Sequence, residues 1–383
     1  MIPEYLHEAA QYRNALCTLR EAFHTRPELG NQEFQTALRI ENTLRSLGIE
    51  TERVTDTAVV ATLRGGLPGP TAALRADMDA LPIREATGAP FASRVPGVMH
   101  ACGHDVHITA ALGAAMLLSR HQETLPGSVR FFFQPDEEGD GGAKRMIEAG
   151  CLDGVDAVFG AHVSPELPAG CAAFRYGKFY AASDMFRITV RGKGAHGAER
   201  EKGIDAIEAA AQLVTRLLAL PERFPGERSV VTVGALHAGT ACNILAETAV
   251  LDGILRTLGP DSRAAMKTYL LDACRTVERR TGVTIDCAIR ESYPGVVNHD
   301  RETALAETAA ADLLGAEHVR RIDAPSMTTE DFGYFLLERP GTYYHIGAGC
   351  DVPLHNASFL PTADCAVTAA AVHAAVLHSY LLR

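Results

Sequence analysis

No run in this 383-residue chain approaches the ~20 consecutive apolar residues of a bilayer-crossing helix, so a membrane role is not expected. Basic charge is not in surplus either. The 47 Asp and Glu outnumber 36 Lys and Arg, giving a formal net charge of −11. Phosphate binding draws on clustered Lys and Arg, so no nucleic acid partner is expected. An anionic small substrate stays open, because one Arg or a metal pair reverses the field locally. The first residues, MIPEYLHEAAQYRNAL, lack the basic head and apolar run of a secretory leader and read as an amphipathic, partly acidic helix. The nine Cys are odd in number and irregularly spaced, which points to a reduced, cytoplasmic protein with mostly structural thiols. Internal repeats, low-complexity stretches and long linkers are missing, and there is no Trp.

What is present suits a large globular fold. The length exceeds one average domain, and 47% hydrophobic with 22% charged residues leaves ample material for a core. Helical patterns cover 4–24, 33–47, 105–120 and about 142–149. Between them lie short apolar runs at 57–63, 71–76, 129–134 and 155–160, the texture of a mostly parallel sheet covered on both faces. Near residue 183 the texture changes. Alternating strands and helices (204–220, 261–281, a strand at 283–290) follow in the order β-α-β-β-α-β, the ferredoxin-like pattern. From about 295 the α/β texture resumes, with a strand at 342–347 and a last helix near 364–381. The expected organisation is an α/β domain formed by 1–182 and 295–383, interrupted by an inserted α+β domain at 183–294.

Polar residues gather just after the predicted strands of the first domain. Asp77 and Asp79 follow TAALRA, Glu137 and Glu138 follow VRFFFQ, His162 follows VDAVFG, and His355 lies beyond TYYHIG. Ligands bind at the carboxyl ends of strands in open α/β sheets. The segment MHACGHDVH adds His100, Cys102, His104, Asp105 and His107 within nine residues. Cys102 taken alone reads as a small buried hydrophobe, and Asp105 as the N-cap of the following helix. Beside Gly103 and His104, however, Cys102 suits a metal, since thiolate and imidazole both bind zinc and its neighbours well. Adjacent carboxylates at Glu137-Glu138 would repel and take up a proton unless a cation offsets them. A metal pair removes that cost and allows one Glu to ligate while the other serves as general base.

In this order these residues resemble the M20 metallopeptidase family, in its aminoacylase and hippurate hydrolase-like branch. The matching segments are RADMDALPI at 75–83, MHACGHD at 99–105, QPDEEGDGGAKRMI at 134–147 and GAHV at 160–163. They continue with GKGAHGA at 192–198, GTACNIL at 239–245, TTEDFGYFL at 328–336 and PLHN at 353–356. The resemblance implies two divalent metal ions per chain (Zn, Mn, Co or Ni) held by Cys102, His104, Glu138, His162 and His355. It implies Glu137 as general base on a metal-bridging water and Asp79 as an acid that orients the site. Asp77, Asp105, His107 and Glu330 are weaker candidates for supporting roles.

The inserted domain resembles the family's lid and dimerisation domain, which implies a homodimer. Its His196 is implied to reach the partner subunit's site, and Asn243 and Arg256 to hold the substrate's carboxylate or carbonyl oxygen. A turn for Asn243 and an exposed strand charge for Arg256 are the bland alternatives. After GAHGA the chain departs from the family at Glu199, Arg200, Glu201, Lys202 and Ala206 with the spacing kept, which puts substrate identity rather than fold in question. The expected function is hydrolysis of an N-acyl amino acid or related conjugate, releasing a carboxylic acid and an amino acid. The rivals are a dipeptidase or aminopeptidase of the same superfamily and a non-catalytic binding protein on this fold.

Overall fold

The computed structural model describes residues 4–383, and the chain divides into two compact units. Of the described residues, the first comprises 4–177, 297–323 and 331–383; the second comprises 178–296 and 324–330. The segment 324–330, expected in the first domain, therefore groups with the inserted one.

The first unit is built on an eight-stranded sheet. In chain order its strands are β1 (Glu50–Arg53), β2 (Val59–Arg64), β3 (Leu67–Asp77), β4 (Pro126–Gln134), β5 (Ala157–Ser164) and β6 (Ala172–Phe174). The strands β7 (Gly177–Tyr180) and β12 (Val296–Asn298) fall at two of the four chain crossings, and β13 (Val319–Arg321) and β14 (Gly341–Gly347) complete the sheet. Spatial order is β1-β2-β4-β3-β5-β14-β6-β13. The central neighbours β4-β3, β3-β5 and β5-β14 are parallel, and antiparallel pairs stand on either side of them.

Both faces of this sheet are covered, as parallel strands require. In β4 the run Phe131-Phe132-Phe133 is fully buried, because alternate residues meet different layers. Phe131 and Phe133 enter the main core, while Phe132 stacks on Phe335 of α9 (Gly333–Glu338) at 5.7 Å. Burying each ring stabilises the fold by about 1.5–3 kcal/mol. The main core lies under α4 (His104–Ser119) and α10 (Ala363–Leu381), two helices that are apolar all round and accordingly buried. They cross closely at Gly113, where an added Cβ would lie 2.6 Å from Ala370 Cβ. Around them pack α1 (Tyr5–Gln11), α2 (Arg13–His24), α3 (Phe34–Ser46) and α8 (Asp300–Leu314); α5 (Ala143–Glu148) follows β4.

The second unit holds β8 (Ala182–Arg191), α6 (Ala206–Leu218), β9 (Ser229–Ala238), β10 (Thr248–Thr257), α7 (Pro260–Thr281) and β11 (Thr284–Glu291). Its antiparallel sheet has the order β11-β8-β10-β9, the ferredoxin-like arrangement expected from the β-α-β-β-α-β pattern. Alternating apolar residues of β8 and β10 pack against α6 and α7 in a separate core.

Candidate metal centre

The carboxyl ends of four neighbouring strands meet at one edge of the large sheet. Asp77, the last residue of β3, lies opposite Gln134, the last of β4, and His162 of β5 lies beside His345 of β14. His162 was expected just after the end of its strand. It sits within β5 instead, because pairing with β14 continues through His162 to Ser164, in a strand buried along all eight residues.

Cys102 and His104 flank Gly103, which caps α4 with a left-handed φ of 90°. A side chain there would also press on Val163 Cγ2, 2.5 Å from an added Cβ. The backbone reversal brings both donors into one space. Cys102 Sγ lies 3.3 Å from His162 Nε2 and 3.3 Å from His355 Nε2, and His355 Nε2 is 3.0 Å from Glu138 Oε1. Donor atoms of Cys102, His104 and His162 lie within 4.8 Å of one another, as do those of Cys102, Glu138 and His355, and of His104, Glu137 and Glu138. The five expected ligands thus come together in two groups that share Cys102, and Glu137 joins them through a third group with His104 and Glu138.

Two of the loops are held in unusual backbone. Asp136 (φ 59°) and His355 (φ 63°) are left-handed without being Gly, a conformation that persists only where surrounding contacts impose it. His355 N–H donates to Ala101 O at 2.8 Å, tying its loop to the Cys102 segment. Asp136 N–H donates to Glu33 Oε1 at 3.0 Å, and Asp136 Oδ2 accepts from Arg145 Nη2 at 2.9 Å, fixing the turn that presents Glu137.

Electrostatics fit a bound cation. Burial by itself lowers the His104 pKa, yet Asp77, Asp79 and Glu138 raise it to about 10. Burial, with Glu138 and Glu137 adding to it, holds the Cys102 thiol well above its ordinary value, so a thiolate there needs a neighbouring positive charge. Burial pushes the His162 pKa well below its ordinary value, and its Nδ1–H donates to Val163 O at 2.8 Å, leaving the Nε2 lone pair towards Cys102. His104 Nδ1 lies 2.9 Å from Asp79 O and 3.2 Å from Asp79 Oδ1, while its buried Nε2 has no hydrogen-bond partner. One thiol, three imidazoles and a carboxylate, with an orphaned nitrogen among them, form a donor set suited to zinc and neighbouring transition metals.

Asp79 also accepts the Glu138 N–H at 3.0 Å through Oδ2, so one carboxylate orients two expected ligands. Asp105 is not the helix cap. It is fully buried in the first turn of α4, where Oδ2 accepts from Arg20 Nε at 3.0 Å and from His24 Nδ1 at 2.9 Å. Sequence reasoning missed Arg75, Gln134 and Asp331, a buried polar network behind Asp77. The one available signal was Arg75 itself, a charge inside the apolar strand TAALRA.

The remaining expected site residues belong to the second unit. His196 is exposed on the loop after β8 and bridges Ile244, while Gly197 N–H donates to Asn243 O at 2.8 Å, so His196 and Asn243 lie on facing segments. Arg256 projects from β10, with Nη1 buried and without a hydrogen-bond partner, and burial lowers its pKa. Glu330, also in this unit, is buried.

Comparison with known proteins places the geometry in a family. The model of peptidase family M20/M25/M40 matches residues 73–379. Thermostable carboxypeptidase 1 of Saccharolobus solfataricus is 36% identical over 98% of this chain and 97% of its own length. N-acetyl-L-cysteine deacetylase of Bacillus subtilis is 37% identical over 90% of this chain and 83% of its own length. Among solved structures, the Bacillus subtilis YXEP protein, a dinuclear metal binding peptidase from the M20 family, superposes with a TM-score of 0.88 at 33% identity. It covers 97% of this chain and 99% of that one. On these matches, which span nearly its whole length, the chain belongs to peptidase family M20/M25/M40.

Proposed function

We propose that this chain is a metal-dependent amidohydrolase that cleaves N-acyl amino acids or related amide conjugates into a carboxylic acid and an amino acid. The reading rests on one observation above others: Glu137, only 7% exposed, has its carboxylate within 4.8 Å of His104 and Glu138 donor atoms in a cluster built for cations. Relatives named N-acetylcysteine deacetylase and IAA-amino acid hydrolase, each 36% identical, support this substrate class.

In this reading Cys102, His104, Glu138, His162 and His355 hold two divalent ions, drawn from Zn, Mn, Co or Ni. When bound, the ions supply Lewis acidity and charge for the developing oxyanion. Glu137 takes a proton from the attacking water at its carboxylate oxygen and delivers it to the leaving amine nitrogen as the C–N bond breaks. Asp79 keeps His104 and Glu138 aimed. Arg256, with an unpartnered buried Nη1, is suited to the substrate carboxylate, with Asn243 and His196 as further contacts. The second unit serves as lid and dimerisation domain. Its edge strand β9, exposed along its outer half, is the natural pairing surface for a homodimer. Nine free cysteines suit a reducing, cytoplasmic setting.

The test is a substrate panel on chelated enzyme with each metal added back: N-acetyl, N-benzoyl and longer N-acyl amino acids against dipeptides and carboxypeptidase substrates. Preference for N-acyl amino acids is the expected result. Turnover confined to peptides would replace this substrate class, and turnover unaffected by chelation would overturn the metal chemistry.

A further inference from the structure

His107 stands three residues past His104 in α4, and the protein engages both of its ring nitrogens. Nε2 accepts the Val163 N–H at 3.0 Å, which leaves the ring proton on Nδ1, 2.5 Å from Asp77 Oδ1. Asp77, His104 and His107 present donor atoms within 4.8 Å of one another, a spacing that could suggest another ion site. The bonds of His107 argue against ligation, because no lone pair is left for an ion. Its ring lies instead between two of the residues assigned as ligands: 5.4 Å from His104, nearly parallel at 29°, and 4.6 Å from His162, edge-on at 75°.

The connection to His162 runs through one residue. Val163 gives its N–H to His107 and accepts the His162 Nδ1–H on its carbonyl, so the same backbone unit is held on both sides. Behind His107, Asp77 is itself anchored. Arg75 Nη1 donates to Asp77 Oδ2 at 2.5 Å, Arg75 Nη2 to Asp331 Oδ1 at 2.8 Å, and Arg75 Nε to Gln134 Oε1 at 2.8 Å. All of these side chains are buried, where a bond left unmade is expensive and a completed network is rigid.

We propose that His107 is a positioning residue: braced by Asp77, it clamps the Val163 backbone and so fixes the direction of His162 Nε2 towards Cys102. The proposal rests on the assignment of His162 as a metal ligand. Its mark is an effect on metal affinity carried by the Val163 link rather than by packing.

The test measures Co(II) affinity by calorimetric titration of the chelated full-length protein. His107→Gln keeps an acceptor near the Nε2 position, His107→Asn keeps only a donor near the Nδ1 position, and His107→Phe keeps neither. With wild-type melting preserved in the chelated state, Phe and Asn variants should bind Co(II) about 10- to 100-fold more weakly, and the Gln variant should recover most of the loss. Wild-type affinity in the Asn and Phe variants, or a Gln variant no better than Asn, overturns the proposal. The Gln–Asn contrast stands even where Phe fails to fold. His162→Ala is the separating control. If it leaves Co(II) affinity unchanged, the ligand assignment fails; if it abolishes binding while the His107 series is flat, only the positioning role fails.

Discussion

Glu33 links the titration of a buried acid to the turn that presents Glu137. It precedes α3, is fully buried, and accepts the Asp136 N–H through Oε1. Burial raises its pKa from 4.5 to about 7; Asp79 adds to the rise, and hydrogen bonds from its own backbone, Thr57 and Asp136 oppose it. Below pH ~4.5 the carboxyl is protonated in both folded and unfolded chains and costs nothing. As pH rises from there the unfolded chain ionises while the folded one keeps its proton, so stability falls by about 1.4 kcal/mol per pH unit until the folded group titrates near 7. The accumulated cost at pH 8 approaches about 3 kcal/mol. Glu33→Gln keeps the amide oxygen for Asp136 N–H and removes the charge. It should match the wild type near pH 4.5 and exceed it by roughly 2–3 kcal/mol at pH 8. Urea unfolding followed by far-UV circular dichroism suits a chain without Trp. Chelator must be present, because metal binding carries its own pH dependence and an ion near Asp79 would weaken its push on Glu33. Equal stability across this pH range, or a variant weaker at pH 8, would refute the reasoning.

Asp105→Asn should destabilise by roughly 3–5 kcal/mol in the same unfolding assay, because it takes from buried Arg20 its carboxylate partner and from His24, whose pKa burial lowers and Asp105 raises, one of its two. Asp105 itself, though burial opposes it, is held well below the usual carboxylate range by Arg20 and His24, so its contribution is present at neutral pH and lost only on strong acidification. Gly103→Ala places a Cβ at a left-handed φ and against Val163. A loss of about 2–4 kcal/mol is expected, with weaker metal binding as Cys102 and His104 shift; an unchanged melting curve and metal affinity would contradict it.

The elements legible in the sequence are those whose apolar period survives in the fold. The helix expected at 105–120 is α4 (His104–Ser119), and the strand expected at 342–347 is β14 (Gly341–Gly347). Strand β1 (Glu50–Arg53) reads ETER, with no apolar signal, and exists because it pairs with β2 at an exposed edge. The helix expected at 4–24 is two helices that meet at Tyr12. In β3 the expected run 71–76 lengthens to Leu67–Asp77, since its outer residues are exposed and carry no burial pattern. At the centre, the acids and imidazoles just after the strands and the segment MHACGHDVH stood out by position, while the full set Cys102, His104, Glu138, His162 and His355 came from the family resemblance. The supports did not stand out: Glu33 under Asp136 and Asp331 behind Arg75 lie far apart in sequence from what they hold, and only the tertiary fold brings them to it.

The central claim is that Glu137 moves the proton in a site whose other residues bind the metals. Its most direct measurement is metal content and turnover of Glu137→Gln, loaded and assayed beside the wild type on its best N-acyl amino acid. The account predicts two ions per chain in both proteins and a kcat lowered by roughly 100- to 10,000-fold in the variant. A variant that keeps its metals and retains substantial turnover would contradict it.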